Sequence, residues 1–161
     1  MNFKIFTTGG TIDKEYFDAK SEYAVGQQQI ATILQQSHVQ TAFEVEQLFQ
    51  KDSLDITEED RALIFESARD DSCGHVLITH GTDTMVETAR ALESISDKTI
   101  VLVGSLSPAR FKRTDAEFNI GFAIGALMAL APGIYIAMNG QIFPSDNVRK
   151  NLEKRRFEPL N

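Results

Sequence analysis

Residues 75–103 read HVLITHGTDTMVETARALESISDKTIVLV, and this stretch decides the fold class. The apolar runs over 75–79 and 99–103 have the length and composition of buried strands. Between them, apolar residues at helical spacing predict a helix over 84–95. A strand, a helix and a second strand in this order indicate parallel neighbours that a crossover helix connects.

The same alternation continues on both sides of this stretch. It predicts an α/β fold: a three-layer domain with a largely parallel sheet flanked by helices. The polar segment 12–26 has no helical period and is expected to be an extended surface loop that can act as a lid. Asn139-Gly140 favours a two-residue hairpin turn. The further strands are predicted over 3–7, 43–49 and 133–138, and the further helices over 28–36, 57–72 and 115–130.

Composition limits the classes of partner. Sixteen basic and 23 acidic residues give a formal net charge of -7, which disfavours nucleic acid and anionic membrane surfaces. The uncharged stretch 120–138 is interrupted by Pro132-Gly133, and its small residues predict a buried helix and then a buried strand, not a membrane span. The basic residues of 149–156 are interpreted as solvated charge, with one anionic ligand or a subunit contact as the alternative.

Length and cysteine content predict organisation and compartment. The chain has 161 residues, which predicts one domain over 1–161. A lone Cys73 suits a reducing compartment, and the N-terminus shows no export signal, so we expect a cytoplasmic protein. His38, His75 and His80 have no metal-ligand spacing, so no metal and no cofactor is expected.

Two polar segments follow strands of the predicted sheet. Thr8-Gly9-Gly10-Thr11 follows the first strand, lacks the fingerprints of phosphate-binding loops, and offers a hydroxyl after two glycines. His80-Gly81-Thr82-Asp83 follows the strand 75–79 and supplies a hydroxyl and a carboxylate directly before a helix. Both segments fall at the carboxyl edge of the sheet, where ligands gather. Taken alone, the first segment is explained equally well by an ordinary turn. A helix cap explains Asp83 in the second segment but not Gly81 or the flanking threonines, so neither segment alone decides the function.

Taken together, the two segments resemble the two signature segments of the L-asparaginase family. The similarity rests on Thr-Gly-Gly-Thr-Ile at 8–12 and on His-Gly-Thr-Asp-Thr-Met at 80–85, which Glu-Thr-Ala follows at 87–89. It continues through Val-Gly-Ser at 103–105 and Asn-Gly at 139–140 to Val-Arg-Lys at 148–150, and so covers nearly the whole chain. The resemblance implies the fold of an asparaginase N-terminal domain and hydrolysis of L-asparagine to L-aspartate and ammonia.

The resemblance also implies catalytic roles for five residues. Thr11 is similar to the nucleophile that attacks the side-chain amide and forms an acyl-enzyme, which water then hydrolyses. Tyr23 matches the tyrosine of a mobile lid. Thr82, Asp83 and Lys150 resemble the second triad of the family, in which a lysine beside an aspartate and a threonine takes part in a proton relay. Read without the resemblance, Lys150 is an ordinary solvated lysine.

Substrate-binding roles follow from the same resemblance. Asp83 resembles the carboxylate that holds the substrate α-amino group, and Thr82 shares that binding site. Ser53 matches the serine that binds the α-carboxylate, and we include its neighbour Asp52. Backbone N–H groups near Thr82 are the expected oxyanion donors, and His80 is expected to orient the site by hydrogen bonds.

Family members usually carry a second, C-terminal domain that completes the site of a neighbouring subunit. This chain resembles the first domain only, so we expect a short, single-domain form without the C-terminal domain. Apolar surface that such a domain would cover predicts a homo-oligomer, a dimer or a tetramer.

Three functions fit these residues. The leading hypothesis is an L-asparaginase; the second is a glutaminase or an amidase that supplies ammonia, because one methylene changes pocket affinity by only about 1 to 3 kcal/mol. The third is a catalytically silent module that binds asparagine. Intact Thr11, Tyr23 and Lys150 favour an enzyme, since a binding module does not need all three.

Overall fold

The structure is a computed structural model that describes residues 2–17 and 22–161. Within those residues the chain forms ten strands, four α-helices and two 3₁₀ turns. The strands are β1 (Asn2–Gly9), β2 (Lys14–Phe17), β3 (Glu22–Val25), β4 (Ala42–Lys51), β5 (His75–Thr79), β6 (Thr99–Val103), β7 (Gly133–Met138), β8 (Gln141–Pro144), β9 (Arg149–Asn151) and β10 (Arg156–Glu158). The helices are α1 (Ile30–Gln36), α2 (Glu58–Asp70), α3 (Met85–Ala91) and α4 (Ala116–Ala129).

Six strands form the central sheet in the order β4-β1-β5-β6-β7-β8. Strands β4, β1, β5, β6 and β7 run parallel, and β8 runs antiparallel to β7. Helices flank this sheet, so its central strands are buried, whereas the edge strand β4 alternates between half-buried and exposed residues. This confirms the predicted α/β fold with a largely parallel sheet, and the unit β5, α3 and β6 confirms the interpretation of residues 75–103.

The start of α2 is fixed by side chains. The Asp60 N–H donates to the Thr57 hydroxyl (3.2 Å), and the Thr57 N–H donates to the Asp60 carboxylate (2.8 Å). This reciprocal capping box satisfies two N–H groups that a helix start leaves unpaired, and it begins the helix that the sequence predicts over 57–72.

Helix α4 differs from its prediction as a fully buried helix. Its inner face, which includes Ile120, Ala123 and Leu127, lies in the core. Phe118, however, is 60% exposed, and Gly121 and Gly125 are also exposed. Small, uncharged residues fit both a buried and a surface helix, so composition alone could not show which face lies outside. No helix in the described part of the chain is long and apolar enough to span a membrane.

The predicted surface loop over 12–26 is wrong for its described residues. Thr11–Asp13 form a 3₁₀ turn, and β2 and β3 then pair antiparallel, with Tyr16 opposite Tyr23. The sequence did not predict this hairpin, because two short strands of polar and aromatic residues show little periodicity and neither strand by itself indicates its partner. By contrast, the predicted hairpin turn is confirmed, because Asn139 and Gly140 adopt φ values of 49° and 81° between β7 and β8.

Candidate active site

The loops after β1 and β5 touch through glycines. Gly9 and Gly10 have φ values of +100° and +88°, a region that disfavours other residues. A Cβ atom on Gly10 would lie 2.5 Å from the Gly81 Cα atom. The Gly10 N–H donates to the Lys51 carbonyl (2.9 Å), and the Thr8 hydroxyl donates to the Thr79 carbonyl (2.8 Å). Both predicted segments therefore meet at the carboxyl edge of the sheet, and glycine is required for that approach.

Thr11 opens the 3₁₀ turn that follows these glycines. Its side chain is half-buried, and its hydroxyl has no hydrogen-bond partner among residues 2–17 and 22–161. The turn is held from outside, since the Ala109 N–H donates to the Ile12 carbonyl (3.0 Å). Thr11 thus presents an unengaged hydroxyl from a fixed backbone.

Asp13 ends the same turn and is buried. Its carboxylate accepts a hydrogen bond from the Gln29 N–H (2.8 Å), at the start of α1. Burial raises the pKa of Asp13 to about 7, although this hydrogen bond and the charge of Arg110 act in the opposite direction. A carboxyl group two residues from Thr11 therefore changes charge near neutral pH.

His80 fixes the second loop from inside the core. It is fully buried, with Nδ1 2.7 Å from the Gly81 carbonyl and Nε2 2.8 Å from the Thr88 hydroxyl. A carbonyl only accepts, so Nδ1 donates to Gly81 and Nε2 accepts from Thr88. Burial lowers the pKa of His80 to about 4, so the ring is neutral at neutral pH. His80 orients the loop by hydrogen bonds, as expected.

Lys150 joins Thr82 and Asp83 although 67 or more residues separate them along the chain. Its Nζ donates to the Thr82 hydroxyl (2.8 Å) and to Asp83 Oδ1 (2.5 Å). The Lys150 side chain is only 13% exposed, whereas that of Asp83 is 41% exposed. Lys150 is therefore an engaged lysine and not the solvated one that its local sequence suggests. Asp83 does not cap α3, whose N-cap residue is Thr84.

A cavity of about 290 Å³ brings Thr11 together with the three residues of this triad. Its volume lies near the lower end of small-molecule sites, which run from about 300 to 1,000 Å³. Two hydroxyls, a carboxylate and two cationic side chains line a space suited to a small zwitterion. The lining residues are Thr11, Thr82, Asp83, Leu106, Lys150, Leu152 and Arg155.

Ser53 contacts this site from outside the cavity lining. It is 2% exposed, and its hydroxyl accepts a hydrogen bond from the Asp83 N–H (3.2 Å). The Ser53 carbonyl accepts from the Thr84 hydroxyl (2.7 Å). A Cβ atom on Gly81 would lie 2.6 Å from the Ser53 Cβ atom. Ser53 thus packs against the backbone of the second loop and occupies one N–H near Thr82.

Asp52 and Tyr23 line a neighbouring cavity of about 390 Å³ instead. Asp52 pairs with Lys14 (2.9 Å). Burial alone would raise the pKa of Asp52, but the hydrogen bonds from Lys14 and the Leu54 N–H, together with the charges of Lys14 and Lys150, outweigh it and the pKa is lowered. The Tyr23 ring is 53% exposed and lies 5.6 Å from the Phe111 ring. The structure therefore does not bring these two residues into the lining of the Thr11 cavity.

Asp115 organises the third loop of the site, and sequence reasoning missed it. Its carboxylate accepts hydrogen bonds from the Leu106 and Ser107 N–H groups (3.0 Å each). It also accepts from the Asn119 and Asn139 side-chain amides (2.9 and 3.0 Å). Burial opposes the lowering of the Asp115 pKa, and these donors outweigh it. An aspartate before a helix looks like a simple cap, so the sequence carried no signal for this role.

Arg155, Leu106 and Leu152 are the cavity-lining residues that the sequence did not single out individually. Arg155 lies within a basic run, and the two leucines lie in loops without a recognisable motif. The described residues contain no group of three or more His, Cys, Asp or Glu side chains that could hold a metal ion.

Comparisons with known proteins show which family and fold this chain resembles. The family model described as "Asparaginase, N-terminal" matches residues 2–157. A probable periplasmic L-asparaginase of Haemophilus influenzae is 31% identical over 160 residues, which cover 92% of this chain and 46% of that protein. A glutaminase-asparaginase of Acinetobacter glutaminasificans is 40% identical over 86 residues, or 50% of this chain and 26% of that protein.

A solved structure extends the similarity to the fold. The thermostable L-asparaginase from Thermococcus kodakarensis superimposes with a TM-score of 0.83 at 28% identity, covering 100% of this chain and 52% of that one. The chain thus spans about half the length, or less, of the relatives it matches.

Proposed function

This chain belongs to the asparaginase family, and from that premise we propose that it hydrolyses L-asparagine to L-aspartate and ammonia with Thr11 as nucleophile. One observation carries the proposal: the unengaged Thr11 hydroxyl and the Thr82, Asp83 and Lys150 triad line the same small cavity. A nucleophile, a proton relay and a group for the substrate ammonium then lie within reach of one ligand.

The proposed reaction has two halves. The Thr11 oxygen attacks the side-chain amide carbon, and the hydroxyl proton passes through the triad to the leaving nitrogen. Ammonia departs and leaves an ester between Thr11 and the aspartyl group. Water then attacks this ester, returns a proton to Thr11 and releases aspartate. Backbone N–H groups near Thr82 remain the proposed oxyanion donors, apart from the Asp83 N–H that Ser53 occupies.

Asp83 is the proposed partner of the substrate ammonium group. Its Oδ1 atom accepts from Lys150, and its Oδ2 atom has no hydrogen bond to the part of the chain described here. A half-exposed carboxylate with one available oxygen suits an ammonium ligand. Tyr23, Asp52 and Ser53 remain proposed contributors, and Tyr23 and Asp52 require movement to reach the Thr11 cavity.

Ammonia release from L-asparagine and L-glutamine, measured in parallel, tests the reaction. Thr11→Ala is expected to lower kcat by about 10³-fold or more, while Thr41→Ala, in the loop before β4 at the opposite edge of the sheet, should leave it unchanged. Equal activity of the wild-type protein and Thr11→Ala would contradict the proposed nucleophile.

The same assay separates the alternative functions. Faster release from glutamine would favour the glutaminase, an activity that the name of the Acinetobacter relative includes. No release from either amide, together with calorimetric binding of asparagine, would favour the silent binding module.

Assembly and compartment complete the proposal. We propose a homo-oligomer, a dimer or tetramer, since α4 exposes Phe118 stacked against Phe122 with ring centroids 6.1 Å apart. Sedimentation as a monomer at micromolar concentration would contradict it. Cytoplasmic location stays a prediction, and one relative carries the name periplasmic.

A further inference from the structure

The cations beside the Thr11 cavity differ in how they are neutralised. Lys150 pairs with Asp83. Arg149 and Arg156 both pair with Glu158, at 2.8 and 3.5 Å. Arg155 lines the cavity, yet its guanidinium makes no ion pair or hydrogen bond with any residue of 2–17 or 22–161. The cavity is therefore lined by one exposed cationic residue that has no partner in the described chain.

The backbone fixes where Arg155 stands. It ends the turn between β9 and β10 with a φ of +48°, in the left-handed region that non-glycine residues rarely adopt. The turn is closed by the Lys154 N–H, which donates to the Asn151 side-chain oxygen (2.9 Å). Phe157, opposite Lys150 in the strand pairing, is 5% exposed and belongs to the core. A core contact and a closed turn thus hold the Arg155 backbone beside the cavity.

The two other candidates for binding a carboxylate already make hydrogen bonds within the chain. The Ser53 hydroxyl is buried and accepts the Asp83 N–H, which leaves it one O–H to donate to a single carboxylate oxygen. Lys150 already donates to Thr82 and Asp83. A guanidinium presents several donors in a planar fork that matches a carboxylate in two parallel hydrogen bonds. Asp83 and Arg155 then supply opposite charges in one cavity, as a zwitterion requires.

We propose that Arg155 binds the carboxylate of the substrate and thereby selects amides that carry a free carboxylate over neutral ones. This inference rests on the proposed hydrolase activity and names a specificity-determining residue for it. Arg155 is assigned to binding and not to the transfer of protons.

Steady-state ammonia release with two substrates tests the assignment. For L-asparagine, Arg155→Ala should raise KM by about tenfold, the value of a charge-assisted hydrogen bond, and leave kcat within about twofold. For L-asparagine methyl ester, whose carboxylate is masked, the same variant should leave kcat/KM within about twofold. Arg155→Lys should recover part of the lost affinity for asparagine, because it restores the charge without the fork.

Lys154→Ala and Arg156→Ala are the matched controls, since both remove a cation from the same turn or strand outside the cavity lining. Both should leave KM for asparagine unchanged. An unchanged KM in Arg155→Ala would overturn the proposal, and so would an equal loss with the methyl ester or an equal loss in the controls.

Binding without turnover separates this proposal from the hydrolase. Calorimetry measures the Kd for L-aspartate in the Thr11→Ala variant and in the double variant that also carries Arg155→Ala. The Kd of the double variant should be about tenfold higher. If the wild-type protein releases no ammonia and this rise is still observed, the hydrolase fails and the carboxylate site stands. If ammonia is released and the Kd does not change, the hydrolase stands and the carboxylate site fails.

Discussion

The two halves of the candidate site are built in different ways. The sheet half consists of the loops after β1 and β5, which carry Thr11, Thr82 and Asp83. The ribbon half consists of β9, β10 and their turn, which carry Lys150 and Arg155. The sheet half follows buried parallel strands and is locked by contacts between glycines, whereas the ribbon half is a pair of three-residue strands with an exposed turn.

The sheet half therefore holds its side chains on a rigid backbone, whereas the ribbon half presents its charged side chains from an exposed turn. An isolated two-stranded ribbon is marginally stable, so β9 and β10 depend on Val148 and Phe157, which lie in the core. Changes in the sheet half should therefore affect stability and activity together. Changes at the exposed positions of the ribbon half should affect activity with little loss of stability.

Removing the ammonium group of Lys150 should have the largest effect. Lys150→Met is expected to lower kcat by about 10³-fold, or about 4 kcal/mol of transition-state free energy, because the relay loses its central group. Its free energy of unfolding should change by less than about 1 kcal/mol, since Asp83 is half-exposed. Ammonia release and urea unfolding measure the two quantities, with Lys154→Met as control. Global unfolding of Lys150→Met would break the comparison, because the ribbon would then be part of the stabilising core.

A methyl group between the two loops should have the next largest effect. Gly10→Ala is expected to lower the free energy of unfolding by roughly 3 kcal/mol, because the new Cβ atom meets the backbone of Gly81 and φ is positive. Activity should fall with it. Gly74→Ala is the control, because a Cβ atom there meets nothing within 4 Å. A Gly10→Ala protein as stable as this control would show that the sheet half is not locked.

The pH dependence of stability tests whether the buried Asp13 of the sheet half titrates near neutral pH. Because the pKa of Asp13 is raised from 3.8 to about 7 in the folded protein, its stabilising contribution is full below pH 3.8 and is lost as the pH rises through 7. Because an asparagine side chain does not ionise, the Asp13→Asn variant does not lose this stability as the pH rises. Relative to wild type, its free energy of unfolding should increase by on the order of 4 kcal/mol between pH 4 and pH 8.

Urea unfolding of both proteins across that range measures the difference. The opposite contribution of His80, whose lowered pKa makes stability fall below pH 6.5, is present in both proteins and cancels. A difference that does not depend on pH would show that Asp13 does not titrate in this window.

The smallest effect should come from the surface ion pairs of the ribbon. Glu158 accepts hydrogen bonds from Arg149 and Asn151 (2.8 and 3.0 Å). Glu158→Gln is expected to lower kcat/KM by about two- to threefold, because the ribbon holds Lys150 less firmly, and to leave Tm nearly unchanged. Asp146→Asn, an exposed change outside the ribbon, is the control. A large drop in Tm would show that the ribbon contributes to stability as the sheet half does.

The sequence by itself determined the order of the five parallel strands and the four helices, and one half of the site. Alternating apolar runs and helical spacing predicted β5, α3 and β6, and the parallel order then required the Thr11 and Thr82 loops to share an edge. These inferences succeed because they depend on neighbours in the chain and on a general rule of parallel sheets.

Only the tertiary structure decided the rest. Four features depend on pairs of residues or faces that local sequence does not relate. They are the hydrogen bonds of Lys150, the lack of a partner for Arg155 among the described residues, the hairpin of β2 and β3, and the exposed face of α4. The contact between Lys150 and Thr82 spans 68 residues. A lysine in an exposed-looking basic run has the same local pattern whether it meets water or a buried hydroxyl, and the folded position of β9 is what distinguishes the two.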